Sequence, residues 1–382
     1  MTDLLPGGDL APPGSEPAPL TGCRVVTLAL TARLLLSGQL GALSEIRWTV
    51  VSGDGYPDAP PHLTVHHVPM RRELAAADVP SLVALYRFFR HHRFRFVQTH
   101  TQKASLLGLP AARVAGLPTL YTMHGCLYFK DNTRLQNALA WVFERWCCSW
   151  ADKVLVQSRE DAEVLPRARI SPARKVVYIG NGIDLKRFRP VPLPAGPGDK
   201  PVVMMVSRLV TEKGCRDFFA VAEALQGQAR FVHVGPVEVD QHDAVPAAEV
   251  EGLARRGVVE FRGPTDDVTA HLEEADVVLL PSYREGIPRV AMEGAAMGRP
   301  VAGYDIRGMR EVVPPRFGLL VRRGDVSRLT DVVGRLVHDA ELRATLGASC
   351  REWVTENFSE EAVLGRLRTV YCLLYTSDAA DE

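Results

Sequence analysis

The 382-residue sequence has no uninterrupted apolar run of about 20 residues; its best candidate, 25–43, is broken by Arg33 and Ser37. A membrane span is therefore not expected, and any membrane contact would be peripheral. It has no Cys-x-x-Cys pair, and its seven cysteines are an odd number. That argues against a disulfide framework or a zinc site and for a reducing cytoplasm. Cys147 and Cys148 fall in an apolar helical stretch, WVFERWCCSW, and read as small buried thiols. The first 19 residues lack a basic start leading into an apolar run and hold five prolines, so they read as a flexible tail rather than a signal peptide. G-x-G-x-x-G is missing after the first strand of either half, where VVTLALTARLLL and VVMMVSRLVTEKG stand instead. A dinucleotide dehydrogenase thereby loses its main support.

Net charge is also missing, since 45 basic residues balance 45 acidic ones. The balance hides an asymmetry: residues 1–190 carry 23 Lys and Arg against 15 Asp and Glu, and the remainder 22 against 30. The basic half suits phosphates or anionic lipid; nucleic acid is not expected as a partner. Its densest run, RFFRHHRFRF at 87–96, fits either a membrane-surface patch or a solvated helix end running into a buried strand.

What is present is an ordinary globular balance, 46% hydrophobic and 24% charged, which excludes disorder or a fibre. The length suits two domains. Short β-branched runs alternate with helical periods: strands in CRVVTLAL (23–30), WTVVSG (48–53), LTVHHVPM (63–70), RFVQTH (95–100), TLYTMHG (119–125) and KVLVQS (153–158), with helices to about Ile46 and at 80–92, 103–114 and 132–150. This βαβ rhythm predicts a doubly wound parallel sheet. It stops in the Gly- and Pro-rich segment 179–200 and restarts beyond it. The expected layout is a tail at 1–19, a Rossmann-like domain at 20–190, a second Rossmann-like domain at 191–355, and a helix at 356–371 returning to the first domain. Ligands of such sheets bind beyond the carboxyl ends of the strands, here in a cleft between two facing domains.

Two segments carry the chemistry. PSYREGIPRVAMEGAAMGRPV (281–301) reads as a strand end, a loop and a helix with Pro288 at its first position. Glu285 stands in the loop and Glu293 inside the helix, while the N–H groups of Gly286 and Ile287 and the positive helix end form an anion site. Arg289 in the first turn is unfavourable unless an anion offsets it; the alternative is a plain surface arginine. SRLVTEKG (207–214) sets Arg208 beyond a strand and Lys213 before a helix. Converging cations there would stabilise a departing diphosphate; otherwise the segment is a solvated loop. His124 precedes Gly125 at a strand end, the alternative being a structural histidine, and His100 and Lys103 flank a strand-to-helix turn able to hold a phosphate, the alternative being simple capping and solvation.

Together with GNGID (180–184) and TMHG (122–125), these segments resemble family 4 of the retaining glycosyltransferases, of GT-B fold, over residues 21–371. The resemblance implies that Arg208 and Lys213 hold the donor diphosphate, Glu285 the donor sugar hydroxyls and Glu293 the ribose. It sets His124 beside the transferring sugar and Asn181 and Asp184 in a hinge motif. VQTHTQKASLLG with REGIPRVAMEGAAMGRP resembles the branch that assembles bacterial capsule, exopolysaccharide and lipid-linked glycans, whose acceptors are polyprenyl-diphosphate sugars. The family's Gly-Gly pair after the first strand is replaced by LTARLLLSGQ, and the 237–246 loop departs from its glycine-rich turn.

The resemblance implies no cofactor and no obligatory divalent ion, in keeping with the lack of a D-x-D motif. It also implies a cytoplasmic protein, in peripheral contact with the inner membrane where the acceptor is lipid-linked. An epimerase or phosphorylase of the same fold and a silent scaffold beside an active transferase are the alternatives. The last eleven residues, CLLYTSDAADE (372–382), resemble a translated sequencing adapter, and the native frame is expected to depart from them after Tyr371. Resequencing the locus should find no genomic codons for these residues; a codon for each would overturn the expectation.

Overall fold

The computed structural model describes residues 20–70, 78–128, 132–194, 199–238 and 243–376. The tail at 1–19, residues 239–242 of the departing loop and residues 377–382 of the adapter-like end lie outside the described residues. The chain divides into two compact units, Met1–Leu120 and Tyr121–Glu382. The Gly- and Pro-rich segment around residue 190 falls inside the second unit.

Seven strands form the first sheet: β1 (Leu20–Val26), β2 (Ile46–Ser52), β3 (Thr64–His67), β4 (Phe96–His100), β5 (Thr119–Met123), β6 (Lys153–Val156) and β7 (Val176–Tyr178). Their order is β3-β2-β1-β4-β5-β6-β7. Six strands form the second: β8 (Val202–Val206), β9 (Arg230–Val234), β10 (Glu260–Phe261), β11 (Val277–Leu280), β12 (Val301–Tyr304) and β13 (Leu320–Val321), in the order β10-β9-β8-β11-β12-β13. Pairings such as β1 with β4 and β8 with β11 are parallel. Counted from its own first strand, each sheet begins 3-2-1-4-5-6, the doubly wound Rossmann order with its reversal beside the first strand. The two reversals fall between β1 and β4 and between β8 and β11. The loops after β8 and β11 are the two segments that carry the expected chemistry.

The β-branched runs become strands because both sheet faces are covered. Val203, Met204, Val278 and Leu279 are fully buried and pack against Phe218 and Ala291 of the flanking helices. In the first unit Val25, Val51 and Val97 pack against Leu85, Phe89 and Ala104. The run at 87–96 divides by face: Phe88, Phe89, Phe94 and Phe96 are buried, whereas Arg87, Arg90, Arg93 and Arg95 are exposed. Its aromatics belong to the core, so a solvated helix end leading into a strand is what forms there.

Three local expectations change. The helix after β1 is broken into Ala29–Thr31, a π turn at Ala32–Leu36 and Ser37–Ala42, and it ends before Leu43 instead of at Ile46. Pro288 is the N-cap of helix Arg289–Ala296 rather than its first residue, with φ −71° and ψ 110°. The final helix spans Glu360–Thr376. Arg366 there donates to the Ile179 carbonyl at 2.9 Å, Ile183 N–H donates to Phe358 O at 2.8 Å, and Glu360 N–H donates to Ile183 O at 3.1 Å. The 179–183 segment is thus clamped. Arg299, fully buried, fastens the following residues by donating to the carbonyls of Val191, Pro192, Leu272 and Glu273. A buried guanidinium needs this degree of satisfaction.

His233 on β9 is fully buried, with Nε2 3.3 Å from the Ser207 hydroxyl and its ring against Phe261. Burial lowers its pKa to about 4 from the ordinary 6.5. The unfolded chain therefore binds more protons than the folded one between those values, and stability present above pH 6.5 is lost as pH falls toward 4. His233→Gln should flatten that acid limb: the Tm advantage of wild type over variant grows from pH 4 to 6.5 and is constant above it. Differential scanning calorimetry across this range checks the sign.

Candidate active site

The loops after β8 and β11 are locked together by backbone. Tyr283 N–H donates to Glu212 O at 2.9 Å. Gly214 follows the 3₁₀ turn Thr211–Lys213 with φ 72°, and a Cβ there would strike the Pro281 carbonyl. Only glycine meets both demands. The hydroxyls of Tyr283 and Tyr304 donate to one Asp217 carboxylate oxygen at 2.7 and 2.6 Å, which ties the loop after β11 and the end of β12 to the first turn of helix Cys215–Ala224. Burial, then the Asp217 carboxylate, pushes the Tyr283 phenol up to about 12.

On this base Lys213 and Glu285 meet, Nζ to Oε1 at 2.7 Å, with 21% and 14% of their side chains exposed. Such exposure leaves both heads within reach of a ligand. Neither Gly286 N–H nor Ile287 N–H donates to a protein acceptor among the described residues. These two donors precede helix Arg289–Ala296 and lie at its positive end. A cation, a carboxylate and two available N–H groups therefore share one strand-end loop system.

The third wall is the end of β5. A Cβ on Gly286 would lie 2.5 Å from the His124 carbonyl oxygen, and one on Gly125 would lie 3.3 Å from Gly286 Cα. The TMHG and REG segments thus touch backbone to backbone, and His124 is half-buried. Two buried carboxylates hold its loop: Cys126 N–H donates to Asp161 at 3.3 Å and Leu127 N–H to Glu144 at 3.1 Å, while Tyr121 OH also donates to Glu144 at 2.9 Å. Burial pushes Glu144 up to about 7 despite these donors. Asp161 is raised by burial and pulled back by Arg307, whose guanidinium donates to it at 2.9 Å.

The expected residues divide accordingly. Lys213, Glu285, Gly286, Ile287 and His124 come together around one pair of loops. Arg208 does not join Lys213 on a common protein partner: it is half-exposed and its ion contact, at 3.9 Å, is Glu238. The anion that offsets Arg289 is Glu293 of the same helix, 3.5 Å away. Glu293 is buried, and desolvation raises its pKa against the pull of Arg289 and Arg187. Asn181 is buried; Asp184 accepts the N–H groups of Lys186 and Arg187 and so shapes the turn after GNGID. In the first unit Lys103 is buried against Asp78, Nζ to Oδ2 at 2.5 Å, and His100 is buried beside it in sequence. Asp78 therefore already neutralises the Lys103 charge proposed for an acceptor phosphate.

Sequence reasoning missed the loop after β12. Gly308, at φ 82°, lies against the Gly286 carbonyl, and Arg307 spans from Asp161 to Tyr128 O at 3.3 Å. Glu311 accepts from Glu160 N–H at 3.0 Å and Ser158 OH at 2.9 Å at the start of helix Arg159–Arg167. The available signal was an Arg-Gly pair at a strand end, YDIRGM.

Comparison with known proteins places this geometry. Residues 36–187 match the family model described as Glycosyltransferase Family 4, and residues 200–339 match that described as Glycosyl transferases group 1. The 2-deoxystreptamine glucosyltransferase of Streptomyces kanamyceticus is 31% identical over 69% of this chain and 72% of its own length. The N,N'-diacetylbacillosaminyl-diphospho-undecaprenol alpha-1,3-N-acetylgalactosaminyltransferase of Campylobacter jejuni is 23% identical over 78% of this chain and 84% of its own. Among solved structures, Anabaena Alr3699/HepE in complex with UDP and glucose shares the fold, with a TM-score of 0.77 over 92% of this chain and 99% of that one at 18% identity. With a relative above 30% identity over most of its length and both halves matched by glycosyltransferase models, the chain belongs to the family 4 glycosyltransferases of GT-B fold and is a hexosyltransferase.

Proposed function

We propose that the chain is a retaining transferase that moves a hexose or N-acetylhexosamine from a nucleotide diphosphate sugar, a UDP-sugar, to a lipid-linked or polysaccharide acceptor in bacterial surface glycan synthesis. The observation that carries this reading is the Lys213–Glu285 contact beside the available N–H groups of Gly286 and Ile287. Donor entry would exchange this contact for two better ones, Lys213 with a diphosphate oxygen and Glu285 with sugar hydroxyls. As the glycosidic bond breaks, charge accumulates on the diphosphate, and a fixed cation and helix end stabilise that state more than the ground state. Arg208 would turn from Glu238 to the same diphosphate, Arg289 would add its charge, and Glu293 would take the ribose. His124, fixed through its loop by Glu144 and Asp161, would flank the sugar.

In the proposed step the bond from the anomeric carbon to the diphosphate oxygen breaks and a bond to the acceptor oxygen forms on the same face. The acceptor proton passes to the departing oxygen, so no separate carboxylate base is needed. No divalent ion is required in this reading, because Lys213, Arg208 and the helix end do that electrostatic work. The diphospho-undecaprenol of the Campylobacter relative's name favours a lipid-linked acceptor and a place at the cytoplasmic face of the inner membrane. The 31% identical relative favours a second reading, a small aminocyclitol acceptor such as the 2-deoxystreptamine of its name.

Lys213→Ala should lower kcat by about 10²- to 10³-fold, with Tm unchanged within a few degrees; turnover within threefold of wild type would remove the diphosphate role. Thermal shift against UDP- and GDP-sugars, followed by transfer assays on polyprenyl-diphosphate sugars and on 2-deoxystreptamine, separates the acceptors. The expected result is stabilisation by a UDP-sugar and release of UDP matched one to one by a lipid-linked glycoside of unchanged anomeric configuration. Transfer to the aminocyclitol alone would install the second reading, and conversion of the sugar nucleotide without UDP release would leave an epimerase.

A further inference from the structure

Helix Arg134–Trp150 has two unlike faces. One is built into the fold: Ala140, Glu144, Cys147 and Cys148 are buried. The other is not covered. Leu135, Leu139, Val142 and Trp146 are 71%, 63%, 60% and 46% exposed. Their spacing of four, three and four residues puts them in one stripe along nearly the whole helix. Scattered exposed apolar side chains are ordinary, but a contiguous stripe on a soluble face marks a contact surface.

The charges around the stripe have one sign along the helix. Its exposed ionisable residues are Arg134 and Arg145, and its one acid, Glu144, points into the core. Arg145 donates to the Arg169 carbonyl at 2.8 Å, which brings the exposed Arg169 to the same rim. Arg167 beyond it is paired with Glu163 at 3.2 Å. Trp146 packs edge-on against Trp150 with ring centroids 5.6 Å apart. Apolar residues in a row, cations along one edge and an indole pair at one end are what an amphipathic helix uses to lie in a bilayer interface. No helix among the described residues is long and apolar enough to cross a membrane, so the surface would rest on it.

We infer that the exposed Leu135–Leu139–Val142–Trp146 face of this helix, with Arg134 and Arg145, docks the protein on an anionic lipid surface. A second copy of the chain fits this face less well, because a symmetric pairing would bring the arginines of both stripes together with no exposed acid on either helix to offset them. The expected cationic and aromatic run at 87–96 cannot serve instead, its phenylalanines being core. The inference extends the lipid-linked reading of the acceptor, since a docked enzyme meets its acceptor in two dimensions, but it stands on the surface alone.

The test is co-sedimentation of the full chain with vesicles of phosphatidylcholine and phosphatidylglycerol, compared with phosphatidylcholine alone. Wild type should partition to the anionic vesicles at least tenfold more strongly than to the neutral ones, and Leu139→Gln with Val142→Gln should weaken that binding at least tenfold without changing Tm. Arg134→Gln with Arg145→Gln should lower binding and its sensitivity to salt. Absence of wild-type binding, or equal binding by the Gln variants, overturns the inference; so does a concentration-dependent dimer abolished by the same variants without vesicle binding. UDP release with a water-soluble acceptor, measured in parallel, keeps the two readings apart. Vesicle binding without lipid-linked transfer would sink the acceptor reading and leave this surface standing.

Discussion

The arrangement depends on a lysine and a glutamate that meet at 2.7 Å from loops 72 residues apart in sequence. Neither side chain has a place without the backbone beneath it. Gly214 allows the loop after β8 to press on Pro281, the Tyr283–Glu212 hydrogen bond fixes the height of one loop on the other, and Asp217 anchors one tyrosine from the loop after β11 and one from the end of β12. The doubly wound order supplies the reason both loops exist side by side: β8 and β11 are neighbours where the chain reverses direction across the sheet. A cation and a carboxylate held this way neutralise each other, and in the proposed function a ligand of complementary charge displaces both.

A second layer of interactions determines where the end of β5 sits. Glu144 and Asp161 accept main-chain N–H groups of the residues that follow His124, and Arg307 neutralises Asp161 from the loop after β12. Both carboxylates are pushed upward by burial, and each is drawn back by its donors. Buried carboxylates of this kind are costly unless saturated, and the donors that saturate them are the backbone of the site itself. Fixing His124 and satisfying Glu144 are therefore one structural event.

Most of the strand positions and the placing of the two candidate loops at strand ends could be read from the sequence, because a parallel sheet leaves continuous β-branched runs and a strand-to-helix loop leaves glycine and proline at fixed offsets. What could not be read were partners brought in from elsewhere in the chain. Lys103 looked available from its neighbours but is neutralised by Asp78, 25 residues upstream. Arg208 faces Glu238 from the next loop, and Arg289 is offset within its own helix. The run at 87–96 misled because a count of cations and aromatics carries no direction, whereas a helix end entering a strand sorts them by face. Conversely, the stripe on helix Arg134–Trp150 was read only as buried cysteines, since its exposed residues are apolar too and a single sequence does not say which face is covered.

The clamp on residues 179–183 has a consequence for synthesis. These residues leave the ribosome long before their partners, since the guanidinium that binds the Ile179 carbonyl is 187 positions further on. During translation the segment has the Ile179 N–H bond to Val156 O, while the Ile179 and Ile183 carbonyls and the Ile183 N–H meet their other partners only with the last helices. Folding of this region therefore waits for the last helices rather than proceeding vectorially, and a nascent chain stalled before residue 358 would hold the GNGID peptide without its clamp.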